Sequence, residues 1–142
     1  MKFISQSPEE TIVFGKKIAK LLKRGDIVCL FGELGSGKTT FVKGLAVGLR
    51  VKKDLVNSPS FVLVKEFKGR LPLFHFDLYR MKSLREIFSL GFEEYLFGRG
   101  ICVIEWAEKL SKVSLNNYRK IEFKIKGPKE RLIKVSKRVL SP

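Results

Sequence analysis

At 142 residues with 44% hydrophobic content, the chain has material for one domain with a buried core and too little for a second. No apolar run approaches the roughly 18 residues of a membrane span, and Met1-Lys2-Phe3-Ile4-Ser5-Gln6 lacks a secretory-signal core, so the expected location is cytoplasmic. The charge is one-sided, with 29 Lys+Arg against 14 Asp+Glu and a formal net of +15, and residues 109 to 142 hold 11 Lys+Arg and 2 Asp+Glu. Such an excess suits a polyanionic partner, although solvated lysines need none.

Ser7-Pro8-Glu9-Glu10 combines an N-cap serine, proline at the first helical position and glutamate at the third, which predicts a helix over 8–23. Phe14, Ile18, Leu21 and Leu22 form its apolar face, and Gly25 stops it. Asp26-Ile27-Val28-Cys29-Leu30-Phe31 is a short β-branched run that reads as a buried parallel strand. Gly32-Glu33-Leu34-Gly35-Ser36-Gly37-Lys38-Thr39 then matches G-x-x-x-x-G-K-[ST], the phosphate-binding loop of nucleoside triphosphatases. Its glycines let backbone N–H groups wrap a phosphate, Lys38 supplies positive charge for the β- and γ-phosphates, and the Thr39 hydroxyl suits Mg²⁺. A helix over 40–49, with apolar residues at 41, 42, 45 and 49, completes the strand, loop, helix order and adds its N-terminal amides to the anion site.

Asn57-Ser58-Pro59-Ser60 reads as a loop, 61–67 as a strand, and Lys68-Gly69-Arg70 as the turn of a hairpin into 71–79. Ser83-Leu84-Arg85-Glu86 repeats the capping pattern and opens a short helix that Gly91 ends, with a further helical turn over 93–97. Ile101-Cys102-Val103-Ile104 is a second buried strand. Residues 118–126 and 131–139 alternate apolar with charged positions around Gly127-Pro128, a C-terminal β-hairpin with one basic face. The expected fold is a single α/β domain over 1–142, a mixed, mostly parallel sheet flanked by helices, with the loop at the carboxyl ends of its central strands. Cys29 and Cys102 fall on those strands without metal-ligand spacing and read as core.

A phosphate-loop enzyme needs a carboxylate near Mg²⁺, usually at the end of a buried strand beside the first. Asp77, after Leu73-Phe74-His75-Phe76, and Glu105, after Ile101-Cys102-Val103-Ile104, both satisfy this. Ser58 and Ser60 stand where switch loops offer a hydroxyl to metal or γ-phosphate. His75, between two phenylalanines, reads as a hydrogen-bonded core histidine, and Trp106 as a rim residue that packs or gates.

Taken with the phosphate loop through Thr40, the segments Ser58-Pro59-Ser60-Phe61, His75-Phe76-Asp77-Leu78-Tyr79-Arg80 and Ile104-Glu105-Trp106 resemble the TsaE family, small bacterial ATPases of tRNA modification. The resemblance covers nearly the whole chain in order. It implies an accessory ATPase that works with TsaD and TsaB in making threonylcarbamoyladenosine, touching tRNA only through that complex. It implies that Gly35, Ser36, Gly37, Lys38, Thr39 and Thr40 hold ATP, that Thr39 and Glu105 bind Mg²⁺, and that Lys38, Asp77 and Glu105 form the catalytic surroundings. Residues around Ser7 to Thr11 should approach the adenine. Ser60 departs from the family's usual threonine, keeping the hydroxyl and losing a stiffening methyl.

Two rival classes share these features. A small phosphate-loop kinase would need a lid, and no segment of convincing length supplies one. A basic nucleic-acid-binding module with structural nucleotide would bind RNA strongly and salt-dependently without partners. A GTPase is disfavoured because no N-K-x-D is present to recognise guanine.

Overall fold

Both expected caps form, each with the same offset. The Ser7 Oγ accepts the Glu10 N–H at 3.1 Å and the Glu10 carboxylate accepts the Gln6 N–H at 3.0 Å. Ser83 and Glu86 repeat this with the Lys82 amide at 3.1 Å, so both glutamates reach the amide one residue before the cap. The structure, a computed structural model, describes residues 1–51, 64–89, 91–96, 98–110, 115 and 118–136. The expected loop at 57–60, with Ser58 and Ser60, the first part of the 61–67 strand and the hairpin beyond 136 lie outside the described residues.

In chain order the elements are β1 (Lys2–Ser5), α1 (Pro8–Ala19), β2 (Ile27–Phe31), α2 (Lys38–Gly48), β3 (Val64–Phe67), β4 (Leu73–Asp77), α3 (Leu84–Ser89), α4 (Phe92–Leu96), β5 (Ile101–Glu105), a 3-10 turn (Ala107–Leu110), β6 (Tyr118–Ile125) and β7 (Arg131–Val135). Helix α1 ends four residues earlier than its apolar pattern suggests. The amides of Lys20, Leu21 and Leu22 bond three residues back rather than four, tightening the chain while Leu22 stays buried. Helix α2 begins inside the phosphate motif, at Lys38.

The strands form one mixed sheet in the order β1-β7-β6-β2-β5-β4-β3. Strands β6, β2, β5 and β4 are mutually parallel, and antiparallel pairs lie outside them on both sides. The C-terminal hairpin is thus built into the main sheet through β6, which lies parallel to β2. Alternate residues of the central strands enter different cores, as burial on both faces requires. Val28, Leu30 and Val103 pack with Phe14, Ile18, Phe41 and Leu45 of α1 and α2. Ile27, Cys29, Phe76 and Ile104 pack with Ile87, Phe92 and Leu110 on the opposite face. Burial pushes the Cys29 and Cys102 thiols up to about 12, and the Cys102 Sγ donates to the Tyr95 carbonyl at 2.9 Å, so both are core thiols.

Helices α1 and α2 touch through backbone. A Cβ on Gly44 would lie 2.3 Å from the Ile12 carbonyl oxygen, and one on Gly15 would lie 2.5 Å from that of Phe41. This contact leaves no room for side chains and sets the start of α1 beside the phosphate loop. The Ser5 hydroxyl ties β1 to the start of α1, meeting the Ser7 carbonyl and the buried Thr11 hydroxyl at 2.7 Å each.

Candidate nucleotide site

The parallel register brings the carboxyl ends of β2, β5 and β4 to one edge. The chain leaves β2 into the Gly32–Thr39 loop, while Asp77 and Glu105 are register partners at the ends of β4 and β5. Gly37 adopts a φ of +103°, open to glycine and strained for other residues, and caps α2 without a side-chain bond. The first amides of α2 therefore face the loop, with the partial positive charge of the helix end behind them. The Ser36 Oγ is buried in this loop and has no hydrogen-bond partner among the described residues, whereas buried hydroxyls are normally satisfied.

Lys38 is buried, bonds the Gly32 carbonyl and lies 3.2 Å from the centroid of the Trp106 ring. Burial lowers its pKa, and the carboxylates of Glu108, Glu105 and Asp77 oppose that shift. Trp106 has a φ of +60° and packs on Tyr79 at 4.9 Å between centroids, so it does stand at the rim, directly on the loop lysine.

On Glu105 two side chains converge. The Thr39 hydroxyl donates to Oε1 at 2.8 Å, and the His75 Nε2 meets Oε2 at 2.6 Å. Glu105 is 2% exposed; Asp77 is exposed, and its Oδ1 accepts the Tyr79 N–H at 3.1 Å. Because Thr39 gives its hydrogen to Glu105, the hydroxyl lone pairs remain for a cation. Among the described residues no three His, Cys, Asp or Glu form a metal cage. A crevice of about 240 Å³ joins Gly35, Gly37, Lys38, Thr39, Thr40, Asp77 and Glu105, with Trp106 and Tyr79 at its wall.

Gly35, Gly37 and Thr40 also line a second, contiguous pocket of about 390 Å³, walled by Ser7, Pro8 and Thr11 on one side and Pro128, Lys129 and Arg131 on the other. The Arg131 Nε donates to the Gly35 carbonyl at 3.2 Å, and its Nη1 donates to the carbonyls of Gly127 and Glu130. Gln6 crosses to Glu130 at 2.9 Å. The hairpin turn therefore borders the loop directly. Glu108, which no local pattern singles out, accepts the Gly32 N–H at 3.0 Å from the 3-10 turn and so anchors the first residue of the loop.

The other side of the hairpin is uncovered. Lys2 and Lys134 are neighbours across β1 and β7, and with Lys124 and Lys126 they line a groove of about 770 Å³ that ends at Gly32, Glu33 and Trp106. Glu33, Glu108 and Glu122 share that groove, so its charge is mixed, four lysines against three glutamates. Lys129 lies apart from it, beside the loop.

The family described as "Threonylcarbamoyl adenosine biosynthesis protein TsaE" matches residues 5–134. The tRNA threonylcarbamoyladenosine biosynthesis protein TsaE of Bacillus subtilis is 42% identical over 94% of this chain and 83% of its own length. Its counterpart in Treponema pallidum is 43% identical over 78% of this chain and 82% of its own. The crystal structure of Bacillus subtilis YdiB superposes with a TM-score of 0.76 at 38% identity, covering 94% of this chain and 82% of that one. A match of this extent, on a sheet whose parallel strands deliver Lys38, Thr39, Asp77 and Glu105 to one edge, places the chain in the TsaE family.

Proposed function

We propose that this chain binds ATP with Mg²⁺ in the phosphate-loop crevice and hydrolyses it as the accessory ATPase of tRNA threonylcarbamoyladenosine formation. It acts in the cytoplasm with TsaB and TsaD, as one domain spanning 1–142, and meets tRNA through that assembly. The observation that carries the reading is the Thr39–Glu105 bond at 2.8 Å at the N-terminus of α2, beside Lys38. Bound Mg²⁺ supplies charge neutralisation between the phosphates. Thr39 and Glu105 would hold it, Lys38 would exchange its Gly32 and Trp106 contacts for phosphate oxygens, and Asp77 would orient water. The pocket between Ser7 to Thr11 and Pro128 to Arg131 has the position and volume for the adenosine end. Among the described residues no helix is long and apolar enough to cross a membrane.

The lysine groove supports a second reading, a nucleic-acid-binding module with structural nucleotide, and RNA binding separates the two. The isolated chain is expected to bind tRNA weakly, with tight binding requiring TsaB and TsaD. Tight binding by the chain alone that loses about 0.7–0.9 of its log–log salt slope for each of Lys2, Lys124, Lys126 and Lys134 changed to glutamine would favour the module instead. Lys129 is left unchanged because it borders the loop.

A further inference from the structure

His75 lies in mid-strand on β4, between Phe74 and Phe76, whose rings enter the core opposite α2. Its own ring points to the α2 side, where Nε2 donates to the Glu105 Oε2 at 2.6 Å while Thr39 donates to Oε1. A carboxylate turns readily about its last torsion, and a buried one is poorly solvated unless donors surround it. Two donors on opposite oxygens remove that freedom and satisfy the charge.

We infer that His75 is a positioning residue for the magnesium site, holding the Glu105 carboxylate in the plane that keeps the Thr39 hydroxyl hydrogen turned away from the cation. This rests on the Mg·ATP reading above. His75 touches neither nucleotide nor metal; it acts through Glu105, as partners of metal-ligating carboxylates generally do. A half-buried strand position suits an ordinary packing histidine, but packing alone does not place its ring nitrogen 2.6 Å from the acid that pairs with the phosphate-loop threonine. Hydrogen bonds to a charged acceptor are short and strong, and losing this one frees the carboxylate to rotate off Thr39.

The test compares wild type with His75→Leu, which fills the space without a donor, and His75→Gln, whose amide nitrogen reaches the position of Nε2. ATP affinity is measured by calorimetry in EDTA and across a Mg²⁺ titration. In EDTA all three should bind ATP alike. The Mg²⁺ concentration that half-saturates the tightening of ATP binding should rise about tenfold or more in His75→Leu, and His75→Gln should stay within about threefold of wild type. If His75→Leu gives no cooperative melt, His75→Asn, too short to reach Oε2, should show the same rise. A donorless, folded variant with the wild-type Mg²⁺ midpoint overturns the inference, as does a rise that glutamine fails to correct. A wild-type protein whose ATP affinity ignores Mg²⁺ removes the metal reading itself, a distinct result.

Discussion

Lys38→Ala is expected to weaken ATP binding about ten- to a hundredfold while leaving a folded protein, because a charge-assisted hydrogen bond contributes about 1.5–3 kcal/mol and each 1.4 kcal/mol is tenfold. Lys38 itself belongs to neither apolar core, and Trp106, which packs against the second, keeps that packing when the ammonium is removed, so the sheet and helices should persist. Calorimetric ATP titration with a thermal melt on the same sample checks both halves. Near-normal affinity in a cooperatively melting variant would remove the phosphate-loop assignment.

Glu105→Gln and Asp77→Asn should each lower hydrolysis far more than ATP binding, by about a hundredfold in turnover against about threefold in affinity, since both act where charge and water are placed in the transition state. They should differ in kind. Glu105 is buried and holds Thr39, so its variant should lose most of the Mg²⁺ dependence. Asp77 is exposed and, among the described residues, its side chain is held through the Tyr79 amide alone, so its variant should keep that dependence with a lower ceiling. Steady-state ATPase against Mg²⁺ concentration distinguishes them; loss of the dependence in Asp77→Asn alone would exchange their roles.

What the sequence made legible was the part governed by local rules. Gly32–Thr39 joins β2 to α2 as its strand, loop, helix order predicts, Ser7 and Ser83 cap as their positions require, and the apolar runs ending in Asp77 and Glu105 are parallel strands because both faces are buried. What escaped depends on long-range pairing. Lys2-Phe3-Ile4-Ser5 is too short and too mixed to announce a strand, and it becomes one only because β7 supplies its ladder. The parallel seat of β6 against β2 is likewise a tertiary choice, and it brings Arg131 to the Gly35 carbonyl. Glu108 carries no local signature because its partner, Gly32, lies 76 positions away. His75 was legible as a hydrogen-bonded strand histidine, although it is half-buried rather than in the core; that its partner is Glu105 follows only from the adjacency of β4 and β5.

ATP hydrolysis by the purified chain, measured with and without TsaB and TsaD at fixed Mg²⁺, tests the accessory-ATPase reading most directly. Turnover should be slow alone and rise when both partners are added, with Glu105→Gln abolishing the rise. Turnover that is indifferent to the partners, or a stimulation that survives Glu105→Gln, would contradict it.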